Sequence, residues 1–128
     1  MAIITEDYVS FEIAKLLKEK GFNEIVSYAY DDEGMFWEKT YHPEGINIGG
    51  YDAPTLQMVM KWLREIHNIH ISVYVFNREL PITNVPVFYT CDIATEKLSS
   101  QQGHLRGVWK SYEEACEAAI KDCLENLI

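Results

Sequence analysis

Glu24-Ile25-Val26-Ser27-Tyr28-Ala29-Tyr30, then Asp31-Asp32-Glu33-Gly34, then Met35-Phe36-Trp37-Glu38-Lys39-Thr40-Tyr41: two β-rich runs flank four polar residues that end in glycine. Short runs rich in aromatic and β-branched residues, joined by a polar loop with Gly where a positive φ is needed, predict a β-hairpin. A second pair follows. Ile69–Phe76 (IHISVYVF) reads as a strong strand and Val85–Cys91 (VPVFYTC), extendable to Ala94, as its partner. Pro86 inside that run argues for an edge position or a late start. The polar segment Thr95–Gly103 reads as a loop, and a short strand is predicted over His104–Trp109.

Helices separate these pairs. The first spans Ser10 to Lys20, with Ile13, Ala14, Leu16 and Leu17 as its apolar stripe. It stops at Gly21, with Phe22 positioned to fold back on Leu17 as in a Schellman ending. The second spans Pro54 to His67, where Leu56, Val59, Met60, Leu63 and Ile66 recur at helical spacing and Trp62 lies on the flank. His42–Asp52, rich in Gly and Pro, reads as a flexible connection. The third helix starts at Ser111. Ser111-Tyr112-Glu113-Glu114 has the form of a capping box, and Tyr112, Ala115, Cys116, Ala119, Cys123 and Leu127 line one face.

The order α-β-β-α-β-β-(β)-α predicts an α+β fold. Consecutive hairpins favour a mostly antiparallel sheet of four or five strands with three helices on one face. A length of 128 residues and 48% apolar content suit one domain over 1–128 that folds without metal or disulfides. Shifted by 46 residues, the chain partly matches itself: Lys15–Glu19 lies over Lys61–Glu65, Ile25 over Ile71, Tyr28 over Tyr74 and Tyr30 over Phe76. The match fits a duplicated helix–hairpin unit (10–41 and 56–91), and equally the pattern any two helix–strand units of equal length share. In this register Ile25, Ser27, Ala29, Ile71, Val73 and Val75 pack beneath helices. Tyr28, Tyr30, Tyr74 and Phe76 form an aromatic face left open, a candidate contact surface. A one-residue register error reverses the assignment.

Eleven basic against 20 acidic residues give a net charge of −9, with 6 and 11 in residues 1–64 and 5 and 9 in 65–128. A charge of this sign disfavours direct binding to nucleic-acid phosphates or to anionic lipid. No apolar run is long enough to span a membrane. The acidic start, Met1 to Asp7, does not read as a signal peptide. A cytoplasmic location is expected, and three cysteines agree with a reducing compartment. Cys116 and Cys123 sit two turns apart, ~10 Å along a helix, too far for one disulfide or one metal ion. Both are expected buried and reduced, and Cys91 lies on a strand without a telling partner.

Catalytic motifs are absent. His67 and His70 are three apart but straddle a helix end, so no metal site is expected. Gly45–Gly50 fits neither a phosphate loop nor a dinucleotide fingerprint, and no nucleophile elbow occurs. Asp31-Asp32 and Glu113-Glu114 have structural roles in a turn and a helix cap. No catalytic residue, metal or cofactor is assigned.

Three segments, Ser10–Phe22, Ala53–Glu65 and Ser111–Leu127, together resemble a family of small uncharacterised proteins encoded by anaerobic gut bacteria and their phages or mobile elements. The resemblance implies a small accessory protein and transfers no catalytic residue. The leading functional reading is a non-enzymatic protein-interaction module whose partner is another protein or a second copy of the chain. The alternatives are a small-molecule-binding domain or small enzyme with an unrecognised pocket, and an acidic mimic of nucleic acid.

Overall fold

The computed structural model describes residues 4–45, 49–76, 87–96 and 107–128. The predicted strand start at Val85 and Pro86, His104, most of the polar loop from Thr95 and the tip of the glycine-rich connection lie outside the described residues. The chain is an α+β protein: α1 (Phe11–Glu19), β1 (Tyr28–Tyr30), β2 (Phe36–Glu38), β3 (Tyr51–Asp52), α2 (Leu56–His67), β4 (His70–Val75), β5 (Tyr89–Ala94) and α3 (Tyr112–Asn126). The hairpins do not merge into one sheet. Hydrogen bonds close an antiparallel β2-β1-β3 sheet and a separate antiparallel β4-β5 ribbon. The chain correspondingly forms two compact units, with the boundary between Val59 and Met60.

In the first unit, Ser10 caps α1 by accepting from the Ile13 N–H at 3.3 Å. The helix ends as its sequence demands. Gly21 takes φ +88°, its N–H donates to the Lys18 carbonyl, and the Phe22 N–H donates to the Leu17 carbonyl at 3.0 Å. Those two bonds define a Schellman ending, and Phe22 is buried behind it. Ile13, Ala14 and Leu17 form the buried stripe, and α1 lies against β3.

The hairpin keeps its predicted turn but its strands are short. Tyr28 pairs with Glu38 and Tyr30 with Phe36. Before Tyr28 the ladder fails, because Lys39–Tyr41 curls into a single 3₁₀ turn and takes the partner strand away. Ile25, placed inside by the sequence pattern, is therefore 95% exposed, whereas Ala29 is buried as expected. The connection read as flexible ends in a third strand. Tyr51 and Asp52 pair with Tyr30 and Ala29, and Lys39 reaches Asp52 at 2.8 Å. Strand β3 escapes the sequence because two residues carry no periodicity, and its partner lies about 20 positions away.

Thr55 opens α2 by accepting from the Met58 N–H. Leu56, Val59, Met60, Trp62 and Leu63 are buried. The expected stripe shifts at its end: Trp62, not Ile66, is inside, and Ile66 is 62% exposed. Asn68 at φ +53° stops the helix, a conformation asparagine tolerates better than most residues.

In the second unit, β4 and β5 pair over six rungs from His70–Ala94 to Val75–Tyr89. Alternation is regular. Ile71, Val73 and Val75 are half-buried, and the cross-strand residues Cys91 and Ile93 are buried. Helix α3 packs against both strands with Ala115, Cys116, Ala119, Ile120, Cys123 and Leu124 buried. Ser111 caps it, accepting from the Glu114 N–H at 3.0 Å. Of the predicted His104–Trp109 strand, Trp109 forms a bridge with Tyr89 through two 2.8 Å hydrogen bonds.

A candidate contact surface built from six aromatic rings

Residues paired across strands project to the same face of a sheet. In β2-β1-β3 one face therefore carries Tyr28 and Tyr30 from β1, Phe36 and Glu38 from β2, and Tyr51 from β3. Tyr8, from the segment before α1, and Phe11, in its first turn, add two more rings. Tyr28 and Phe36 are stacked, with centroids 5.2 Å apart and planes 6° from parallel. Tyr8 lies 4.9 Å from Tyr28 and 5.3 Å from Phe36. Phe11 reaches Tyr30 at 5.5 Å and Tyr51 at 5.6 Å. The Tyr30 hydroxyl donates to the Val9 carbonyl at 2.6 Å, which ties this face to the segment ahead of α1.

None of the six rings is buried, and Phe36 is 42% exposed. The face is charged at both ends. Lys15 sits 4.6 Å above the Phe11 ring and Lys18 4.9 Å above the Tyr51 ring, while Lys18 also donates to the Gly50 carbonyl. At the other end the Tyr8 hydroxyl is held above its ordinary pKa. Partial burial is the largest cause, followed by the neighbouring Tyr28 and the carboxylates of Glu6 and Glu38.

Asp31 ties the hairpin turn together through its carboxylate. One carboxylate oxygen accepts from the Glu33 N–H at 2.9 Å and the Met35 N–H at 3.0 Å; the other accepts from Trp37 Nε1 at 3.0 Å. The Met35 N–H is the main reason its carboxyl lies below the usual range, with Trp37 and Glu33 adding to it against partial burial. Asp31 is thus committed to the fold.

The four residues proposed from sequence lie on two sheets. Tyr28 and Tyr30 share the aromatic face just described. Tyr74 belongs to β4 and Phe76 follows it, and they are 39% and 59% exposed on the side of the ribbon opposite the buried Cys91 and Ile93. In the second unit Tyr74 and Phe76 thus lie on the exposed side of the ribbon. In the first, Tyr8 and Phe11 half-cover the tyrosines. Sequence reading missed Tyr8, Phe11, Phe36 and Tyr51. The hairpin register alone brings Phe36 opposite Tyr30; the other three arrive from separate elements and leave no local signal.

The remaining polar features are weaker candidates. A cleft of about 230 Å³ beside α1 is lined by Leu17, Lys18, Phe22, Asn23 and Asp52 among others, but Lys18 and Asp52 are already engaged with Gly50 and Lys39. Cys91, Cys116 and Cys123 are buried free thiols. Burial, then Asp92, Asp122 and Cys116, push Cys91 up to about 11, and burial, then Asp122 and Cys91, push Cys123 to about 12. Such thiols are poor nucleophiles. Among the described residues no group of three His, Cys, Asp or Glu side chains is arranged to hold a metal ion. Nor is any helix among them long and apolar enough to cross a membrane. No protein-family profile, curated protein or solved structure matches the chain.

Proposed function

We propose that the chain is a non-enzymatic, cytoplasmic protein-interaction module, an accessory protein akin to the mobile-element family its helix ends resemble. It binds a protein partner through the aromatic face of β2-β1-β3. The observation that supports this reading is the set of six contacting rings, none of them buried, on one face of a three-stranded sheet. Tyrosine and phenylalanine supply large contact areas with few rotatable bonds, which suits them to a contact surface. Among the described residues, burial holds the Cys91 and Cys123 thiols protonated, and Asp31 serves the turn.

The test places a photoreactive phenylalanine analogue at position 36 and, as control, at exposed Glu113 in α3. After irradiation in the native cell, a recurrent protein captured at 36 and not at 113 supports the reading. Capture of the same proteins from both positions, or of none, overturns it.

A further inference from the structure

Dividing the sequence at the boundary of the compact units separates its charge unevenly. Residues 1–59 hold 11 acidic against 4 basic groups, a net −7; residues 60–128 hold 9 against 7, a net −2. Nearly all the excess negative charge therefore belongs to the unit that carries the aromatic face. The face itself shows which chemistry its rings accept. At the Phe11–Tyr51 end, two lysines of α1 already lie over ring faces, the arrangement in which a cation is attracted by the ring quadrupole. At the other end Tyr8, Tyr28 and Phe36 contact one another, and among the described residues no lysine or arginine lies over them. Instead Glu6 and Glu38 are close enough to raise the Tyr8 hydroxyl's pKa.

We infer that the Tyr8–Tyr28–Phe36 end of this face, flanked by Glu6 and Glu38, receives a lysine or arginine side chain from a basic segment of the partner protein. The inference rests on the contact role proposed for the face and adds the partner's chemistry. Aromatic rings and carboxylates act on one cation in the same sense, and each strengthens the other where the pair is partly desolvated. A second copy of the chain is a poorer occupant, because it would bring another net −7 unit to an acidic surface.

The probe is a Gly/Ser-spaced peptide carrying three arginines, compared with the same peptide carrying three glutamines. Binding to the full chain is followed by NMR. The arginine peptide is expected to shift the Tyr8, Tyr28 and Phe36 ring signals, and the glutamine peptide to leave them unmoved. A Glu6→Gln, Glu38→Gln double variant should weaken binding roughly tenfold, as two partly exposed charge pairs would. Tyr28→Leu should weaken it as well; the two glutamate changes, at a terminal segment and a strand edge, keep the test valid if Tyr28→Leu does not fold. Binding that spreads over the acidic surface and survives both variants, equal binding of the two peptides, or no binding overturns the inference. Cross-linking at position 36 separates this failure from that of the contact role. A partner captured there through a segment without lysine or arginine, or a second copy of the chain, sinks the inference and leaves the contact surface standing.

Discussion

Gly50 lies against the carbonyl of Tyr30 so closely that a Cβ at position 50 would overlap the carbonyl oxygen. This approach lets Tyr51 and Asp52 join β1 as a third strand, and it brings Tyr51 to the aromatic face. The obstacle is backbone, which cannot swing away as a flexible side chain can. Gly50→Ala is therefore expected to destabilise the protein by about 1–3 kcal/mol, the usual cost of overpacking. It should also loosen β3. Urea denaturation measures the first effect, and faster amide exchange at Ala53, whose N–H donates to the Tyr28 carbonyl, reports the second.

Gly21 is the opposite case. Nothing lies within 4 Å of a Cβ placed there, so any cost of substitution comes from its φ of +88° alone. Gly21→Val should lower stability by about 1–2 kcal/mol, and Gly21→Asn should cost clearly less, because asparagine visits the left-handed region more readily. Thermal melts of the pair against the parent check the order. Equal melting of both variants would mean that the Schellman ending of α1 contributes nothing.

The buried thiols predict an alkaline weakness. Their folded pKa values, about 11 for Cys91 and about 12 for Cys123, lie above the ordinary value of 9.0. Groups raised in this way contribute stability that is full below the unfolded pKa and is lost as pH rises through the folded one. Urea midpoints should hold up to pH 9 and fall between pH 9 and about 12. Cys91→Ser with Cys123→Ser should flatten that decline. At neutral pH a thiol reagent should label the native protein slowly and the urea-unfolded protein fast.

Asp31 predicts an acid weakness at the hairpin. Its folded pKa is depressed below 3.8, chiefly by the Met35 N–H, so its contribution is present above 3.8 and disappears as pH falls through the lower folded value. Asp31→Asn should lower the melting temperature at pH 7 and narrow the gap between variant and parent as pH drops below 3.8. The indole N–H signal of Trp37, which donates to Asp31 at 3.0 Å, should move in the variant.

Gly21, Phe22, Ser111 and Glu114 show what was legible in the sequence. Each acts on residues three to five positions away, so the helix ends follow from local geometry. The Asp31–Gly34 turn and the inward phase of Ile71, Val73 and Val75 are of the same kind, because a two-residue period needs no knowledge of the partner. From these the α+β class follows, as does the order of the helices and the two hairpins, though not β3. The tyrosines at 28 and 30 were found by the same alternation.

Tertiary structure decided the rest. Whether two hairpins share a sheet depends on which strand edges meet, and edges carry no residue code strong enough to read. Strand β3 exists because Gly50 can touch Tyr30, and Ile25 is exposed because a 3₁₀ turn removes its partner. The aromatic face draws Tyr8, Phe11, Phe36 and Tyr51 from four separate elements onto the two tyrosines of β1. Local sequence determined how each segment is shaped, since those energies act within a turn or a strand. Chain closure over some 20 residues determined which shapes touch, because only the folded backbone sets the distances over which rings and charges interact.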